Sequence, residues 1–138
     1  MLVSGQRGLS PYLADGAGLD SGYMIAQYSA AALASQNKQL CTPASVDSIM
    51  SSNGQEDHVS MGANAATKLL RVIENVENIL AVEWLCGVAA LKQREIQTAP
   101  ELQHEVDAFL AAYDINHKVV PMQELIASAK GWLFPKLG

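Results

Sequence analysis

Apolar residues return at three- and four-residue steps along most of this chain, whereas period-two alternation is scarce, so the pattern predicts helices and almost no strand. A first helix is expected to begin with Asp20 or Ser21 as N-cap and to run through Met24, Ile25, Tyr28, Ala31, Ala32 and Ser35 to about Lys38. Thr42-Pro43 stops it, and a polar loop follows. From Glu56 to roughly Arg94 there is no proline, and the only glycines are Gly62 and Gly87. Leu69, Val72, Ile73, Val76, Leu80 and Trp84 recur there at helical spacing, with Lys68, Arg71, Glu74, Glu77 and Asn78 on the polar side. Thr98-Ala99-Pro100-Glu101 resets the chain into a third helix with Leu102, Val106, Phe109, Leu110 and Tyr113 on one face. A short last helix is expected over Met122 to Lys130, and the fold class is all-α, a long-helix bundle.

The second helix carries a consequence of size. About 35 residues at 1.5 Å each reach on the order of 50 Å, while a compact globule of this length is somewhat under ~40 Å across. One end of the helix should therefore protrude and leave apolar side chains in water, unless other copies or further parts of a longer chain cover it. The alternative is a kink at Gly87 that folds the helix back.

Composition narrows the class further. The chain has 138 residues, 49% hydrophobic and 17% charged, which suits one globular domain rather than disorder. Residues 1–20 are glycine-rich and without periodicity, an irregular entry segment to a single helical region spanning 1–138. A net charge of −5, with nine Lys plus Arg and no basic run, argues against a nucleic-acid or anionic-membrane partner. The apolar run from Tyr23 to Ala34 is too short for a membrane span and is interrupted by Gln27 and Ser29. Cys41 and Cys86 have neither metal-ligand spacing nor a disulfide-framework count, and read as buried free thiols of a reducing, cytoplasmic compartment.

Candidate chemistry concentrates between Pro43 and Gly62. Ser48, Gln55, Glu56, Asp57 and His58 are presented there, where a loop enters a helix. By spacing alone, Asn53-Gly54-Gln55-Glu56 fits a capping box, with Asn53 as N-cap and Glu56 reaching back to it. Asp47 and Ser48 read as residues that fix the loop backbone. His58 has a side chain suited to proton transfer, and equally to a structural hydrogen bond. His104 and His117 lack partners at metal-ligand spacing, so no metal is expected. Met24, Tyr28 and Trp84 read as packing residues, and Tyr23 and Gln27 as weaker candidates for the same cavity.

Three segments carry a resemblance to a known family: Gly18-Leu19-Asp20-Ser21-Gly22-Tyr23-Met24-Ile25-Ala26-Gln27-Tyr28, Pro43-Ala44-Ser45-Val46-Asp47-Ser48, and Gln55-Glu56-Asp57-His58-Val59-Ser60-Met61-Gly62. Together with Ile79-Leu80-Ala81-Val82-Glu83-Trp84-Leu85, they resemble the C-terminal part of the histidine ammonia-lyases, within the aromatic amino acid ammonia-lyase family. The likeness runs from about Leu9 to Trp132.

The resemblance implies a carbon–nitrogen lyase that eliminates ammonia from L-histidine without oxidation to give urocanate. It implies that Glu56 is the catalytic carboxylate near the prosthetic group and that Gln55 orients substrate or that group. The family's cofactor is a methylidene-imidazolone built from an internal Ala-Ser-Gly, a tripeptide absent from this sequence. In the family it lies in an N-terminal region that would precede Met1. The chain is thus expected to be a C-terminal fragment, inert alone, that works with that region and in a homotetramer built around long helices. Asn53-Gly54 replaces the Ala-Asn usual before Gln-Glu-Asp, which leaves a tyrosine or phenylalanine ammonia-lyase fragment as an alternative substrate class. A non-catalytic helical assembly module is the alternative from another class.

Overall fold

The protein is described by a computed structural model over residues 8–16 and 18–135. Four helices follow one another: α1 (Met24–Leu40), α2 (Gly62–Arg94), α3 (Pro100–Ala112) and α4 (Met122–Leu133). Short 3-10 turns occupy Pro11–Leu13, Ala44–Asp47 and Ser52–Gly54. Among the described residues strand pairing is limited to an isolated antiparallel bridge between Ser51 and Glu56. The expected all-α class holds.

Pro100 stands in the first turn of α3, where its missing N–H has no intrahelical partner to lose. α4 begins at Met122 as expected and runs on to Leu133. α1 starts later than expected, because neither Asp20 nor Ser21 caps it. Tyr23 holds the N-cap position, while the Asp20 carboxylate turns instead to the Gly22 N–H at 2.9 Å. Gly22 has φ +51°, and a methyl group there would collide with the Tyr12 carbonyl, which accepts the Tyr23 N–H at 2.8 Å. That close crossing ties the entry segment to the head of α1.

α2 also starts later, at Gly62 rather than Glu56, and its N-cap position is held by Met61. The capping-box reading of Asn53 and Glu56 fails with it. Asn53 has φ 56°, inside a left-handed turn, and Glu56 pairs its backbone with Ser51. The helix is unbroken across Gly87 for 33 residues, so the kinked alternative is excluded. At about 1.5 Å per residue it is roughly 50 Å long.

Burial divides α2 in two. Ala81, Val82, Leu85, Val88 and Ala89 are buried in its C-terminal half, whereas Asn75 is the buried residue of its N-terminal half. The core gathers around the C-terminal half: Leu85, Val88, Phe109 and Leu125 are fully buried, with Ala26 and Ala129 filling narrow gaps. Phe109 meets Trp84 and Trp132 edge-on at ring-centroid distances of 5.9 and 5.7 Å. The expected α3 face is inward at Val106 and Phe109, but Leu102 is exposed. Farther out, Leu69, Leu70, Ile73, Val76 and Leu80 are 39–68% exposed, the uncovered stripe that helix length predicts.

α1 accompanies this projecting half as an antiparallel partner, since Asn75 meets Asn37 while Lys68 meets Thr42, just past the end of α1. The seam is polar. Asn75 Nδ2 donates to Gln36 Oε1 and Asn37 Oδ1, both at 2.8 Å, and the Lys68 ammonium donates to the Thr42 carbonyl. Tyr28, expected to pack, is exposed on α1, and so is Cys41 at its end. Both cysteines are free, and the reading of Cys41 as a buried thiol is corrected. The α1 sequence is apolar enough to suggest burial, but its alanine-rich surface has too little neighbouring structure to cover it. Cys86, partly covered on α2, has its thiol pushed up to about 11 by burial.

Phe109→Ala is expected to cost about 3–5 kcal/mol in urea unfolding, whereas Leu70→Ala, on the uncovered stripe, should leave the stability of the isolated chain within about 0.5 kcal/mol.

Candidate functional site

Gln55 and Glu56 lie on a hairpin, not on a helix. Ser51 N–H donates to the Glu56 carbonyl at 2.9 Å, and Glu56 N–H to the Ser51 carbonyl at 3.3 Å. Within that closure Ser52, Asn53 and Gly54 all have positive φ (51°, 56° and 85°), so the chain reverses through a left-handed tip. Asn tolerates that region because its short polar side chain can bond locally, and Gly enters it freely. Both Gln55 and Glu56 are exposed, and neither side chain bonds another described residue. The hairpin thus presents an amide and a carboxylate side by side and leaves their polar atoms open.

Asp57 and His58 follow the hairpin and are also exposed. His58 lines a cleft of about 310 Å³ with Ser45, Ser60, Met61, Gly62 and Ala65, beside the first turn of α2. Gln55 and Glu56 stand outside that cleft. Ser48 fixes loop backbone as expected, with Val59 N–H donating to its Oγ at 2.8 Å. Asp47 is exposed in the preceding 3-10 turn.

Tyr23 and Gln27 do not join this loop. Tyr23 is buried at the other end of the body, where its hydroxyl donates to the Ile115 carbonyl at 2.8 Å and is pushed up to about 12, chiefly by burial. Its ring lies 5.3 Å from that of His117. Met24 is half-buried, and Trp84 packs against Phe109 as expected. The buried indole N–H of Trp84 has no partner among the described residues.

A polar junction that sequence spacing missed holds the entry segment down. His117 Nε2 sits 3.0 and 3.1 Å from the two Asp20 oxygens. Lys118 pairs with Asp15 at 2.9 Å and reaches Asp20 at 3.7 Å. The Gly22 N–H, then His117, hold the Asp20 carboxyl well below the usual carboxylate range. Its bond to Asp15, above all, raises the Lys118 ammonium. Asp20 and His117 are 97 positions apart, and only the fold brings them together. His104 stays exposed on α3, and no cluster of three potential metal ligands occurs among the described residues. No helix among them is long and apolar enough to cross a membrane.

The fold presents a projecting antiparallel helix pair with a polar hairpin between its members. Residues 1–114 match the family described as "Aromatic amino acid lyase", and the chain belongs to that family. Histidine ammonia-lyase of Burkholderia mallei (strain NCTC 10229) is 48% identical over 124 residues, covering 87% of this chain and 24% of the relative. Histidine ammonia-lyase of Natranaerobius thermophilus is 57% identical over 88 residues, covering 64% of this chain and 17% of the relative. The crystal structure of histidine ammonia-lyase from Trypanosoma cruzi superposes with a TM-score of 0.77 at 36% identity, over 91% of this chain and 25% of that one. The chain spans about a quarter of the length of the first relatives it matches.

The Asp20 junction gives a pH signature. A carboxylate lowered by folding contributes stability that is present above its unfolded pKa of about 3.9 and is lost as pH falls towards the folded value. Unfolding midpoints measured between about pH 5 and pH 2 should fall for the native sequence and fall less steeply for Asp20→Asn.

Proposed function

We propose that this chain is the part of a histidine ammonia-lyase that contributes a carboxylate to the active site and an apolar helical flank to the assembly. The observation that carries the reading is the fixed hairpin that offers Gln55 and Glu56 outward, next to an uncovered apolar helix. Two exposed polar side chains on a paired backbone turn, without partners of their own among the described residues, suit a ligand supplied from outside this chain. The names and identities of the relatives favour histidine over tyrosine or phenylalanine as substrate.

In this reading L-histidine loses ammonia: the Cα–N bond breaks, a β-proton leaves, and the Cα–Cβ bond becomes the double bond of urocanate. A methylidene-imidazolone electrophile, when present, draws electron density from the substrate and makes that elimination accessible. Ala-Ser-Gly does not occur in these 138 residues, so the group comes from another segment or chain. Glu56 is an open carboxylate and fits a place beside such a group, where it binds the substrate's ammonium or imidazole and exchanges a proton with it. Gln55 donates or accepts a neutral hydrogen bond that orients the substrate. The stripe of Leu69, Leu70, Ile73, Val76 and Leu80 packs against other copies in a homo-oligomer, a tetramer in this reading, and removes that apolar surface from water. The working compartment is the cytoplasm.

Two measurements test the proposal on the assembled, full-length protein. Glu56→Gln should lower kcat for L-histidine by about 100-fold or more with oligomeric size unchanged; unchanged turnover would remove Glu56 from the site. Ile73→Asp should shift sedimentation towards smaller species, because a charge in a dry helix interface is costly. A sedimentation profile identical to that of the native protein would place the interface elsewhere.

A further inference from the structure

The hairpin that carries Glu56 is closed twice. Its inner closure is the backbone pair of Ser51 and Glu56. Its outer closure uses a side chain: Val59 N–H donates to Ser48 Oγ at 2.8 Å, and the Ser48 hydroxyl donates back to the Val59 carbonyl at 3.1 Å. One serine hydroxyl thus plays the part that an N–H and a C=O of a facing strand would play. Ser48 stands as far before Ser51 as Val59 stands after Glu56, so the two closures bracket the hairpin symmetrically.

Little else holds this segment. Ile49 and Met50 are 63% and 69% exposed, so apolar burial does not anchor it. A two-stranded ribbon with one ladder pair is marginal in water. The left-handed tip adds to the difficulty, because Ser52 with φ 51° occupies a region that L-residues disfavour. Such conformations persist where surrounding bonds over-determine them, and they concentrate at sites that need a side chain held in one direction. Among the described residues, Ser48 is the side chain whose hydrogen bonds cross the loop between Ala44 and His58 on one side and Val59 on the other. Its half-buried position shelters both bonds from competing water.

We propose that Ser48 is a positioning residue for the lyase reaction, fixing through Val59 the direction in which the Glu56 carboxylate meets the substrate. The inference rests on Glu56 being the substrate-facing carboxylate, and it adds a residue that touches neither substrate nor prosthetic group. Removing the hydroxyl leaves Val59 N–H and C=O to water and lets the hairpin pivot about its inner pair. Threonine keeps the hydroxyl and should keep the clasp.

The test uses the full-length assembled protein with L-histidine. Ser48→Ala should lower kcat by about 10- to 100-fold, as misplacement of a catalytic group does, with KM moving less than kcat and oligomeric size unchanged. Ser48→Thr should restore most of the loss. Hydrogen exchange should quicken at the Glu56 and Val59 amides in Ser48→Ala but not in the buried half of α2. In a Glu56→Gln background, Ser48→Ala should cost almost nothing further, because the group it positions is already altered. Full activity in Ser48→Ala, an equal additional loss in the Glu56→Gln background, or a loss that Ser48→Thr does not restore would each overturn the proposal. If Glu56→Gln itself turns over normally, the assignment of Glu56 fails first and takes the role of Ser48 with it. If Glu56→Gln is impaired while Ser48→Ala is not, only the role of Ser48 is refuted.

Discussion

Among the described residues, a helix of 33 residues is not covered along its whole length by the three shorter helices and the loops beside it. The C-terminal half of α2 gains a core from Ala26, Phe109, Leu125 and Ala129, and that core fixes the helix in space. The other half then projects, carrying an apolar stripe that the described residues leave exposed. Everything else follows from this division. The anchored half acts as a root, and the projecting half carries the loop from Pro43 to Met61 away from the core.

Polar contacts manage the projecting half where apolar packing cannot. Asn75 forks its amide N–H groups to Gln36 and Asn37 and keeps α1 alongside, while the Lys68 ammonium holds the end of α1 by the Thr42 carbonyl. A buried amide costs about 1–3 kcal/mol if its partners are lost, so the α1–α2 register is enforced by penalty as much as by attraction. These contacts fix both ends of the loop from Pro43 to Met61, and the hairpin at Ser51–Glu56 is built within those limits. At the opposite end, Asp20, His117 and Lys118 tie the entry segment to the α3–α4 connection, which keeps Tyr23 over the core.

Helix α3 and the start of α4 were legible because proline and the turn residues before them leave the backbone few choices. The long helix and its projection followed from periodicity and length alone. Its start was misread by six residues, from Glu56 to Gly62, because Asn53-Gly54-Gln55-Glu56 satisfies the template of a capping box and of a tight turn equally well. Positive φ at Ser52 and Asn53 decides between them, and no local pattern announces it. The Asp20–His117 pair was invisible for a different reason, since contacts between distant residues leave no periodic trace. Exposure of Cys41 and Tyr28 went unforeseen because apolar composition does not say whether a neighbour exists to bury it. Glu56 and Gln55 were singled out through family resemblance rather than through spacing, and the structure shows both exposed on a hairpin.

The most direct test is a crystal structure of the assembled, full-length protein with a non-reacting histidine analogue bound. The expected result is the Glu56 carboxylate hydrogen-bonded to the analogue, at a junction between this chain and another, with Leu70 and Ile73 buried on the facing subunit. A Glu56 side chain in open solvent, remote from both analogue and neighbouring chains, would contradict the role assigned to this hairpin.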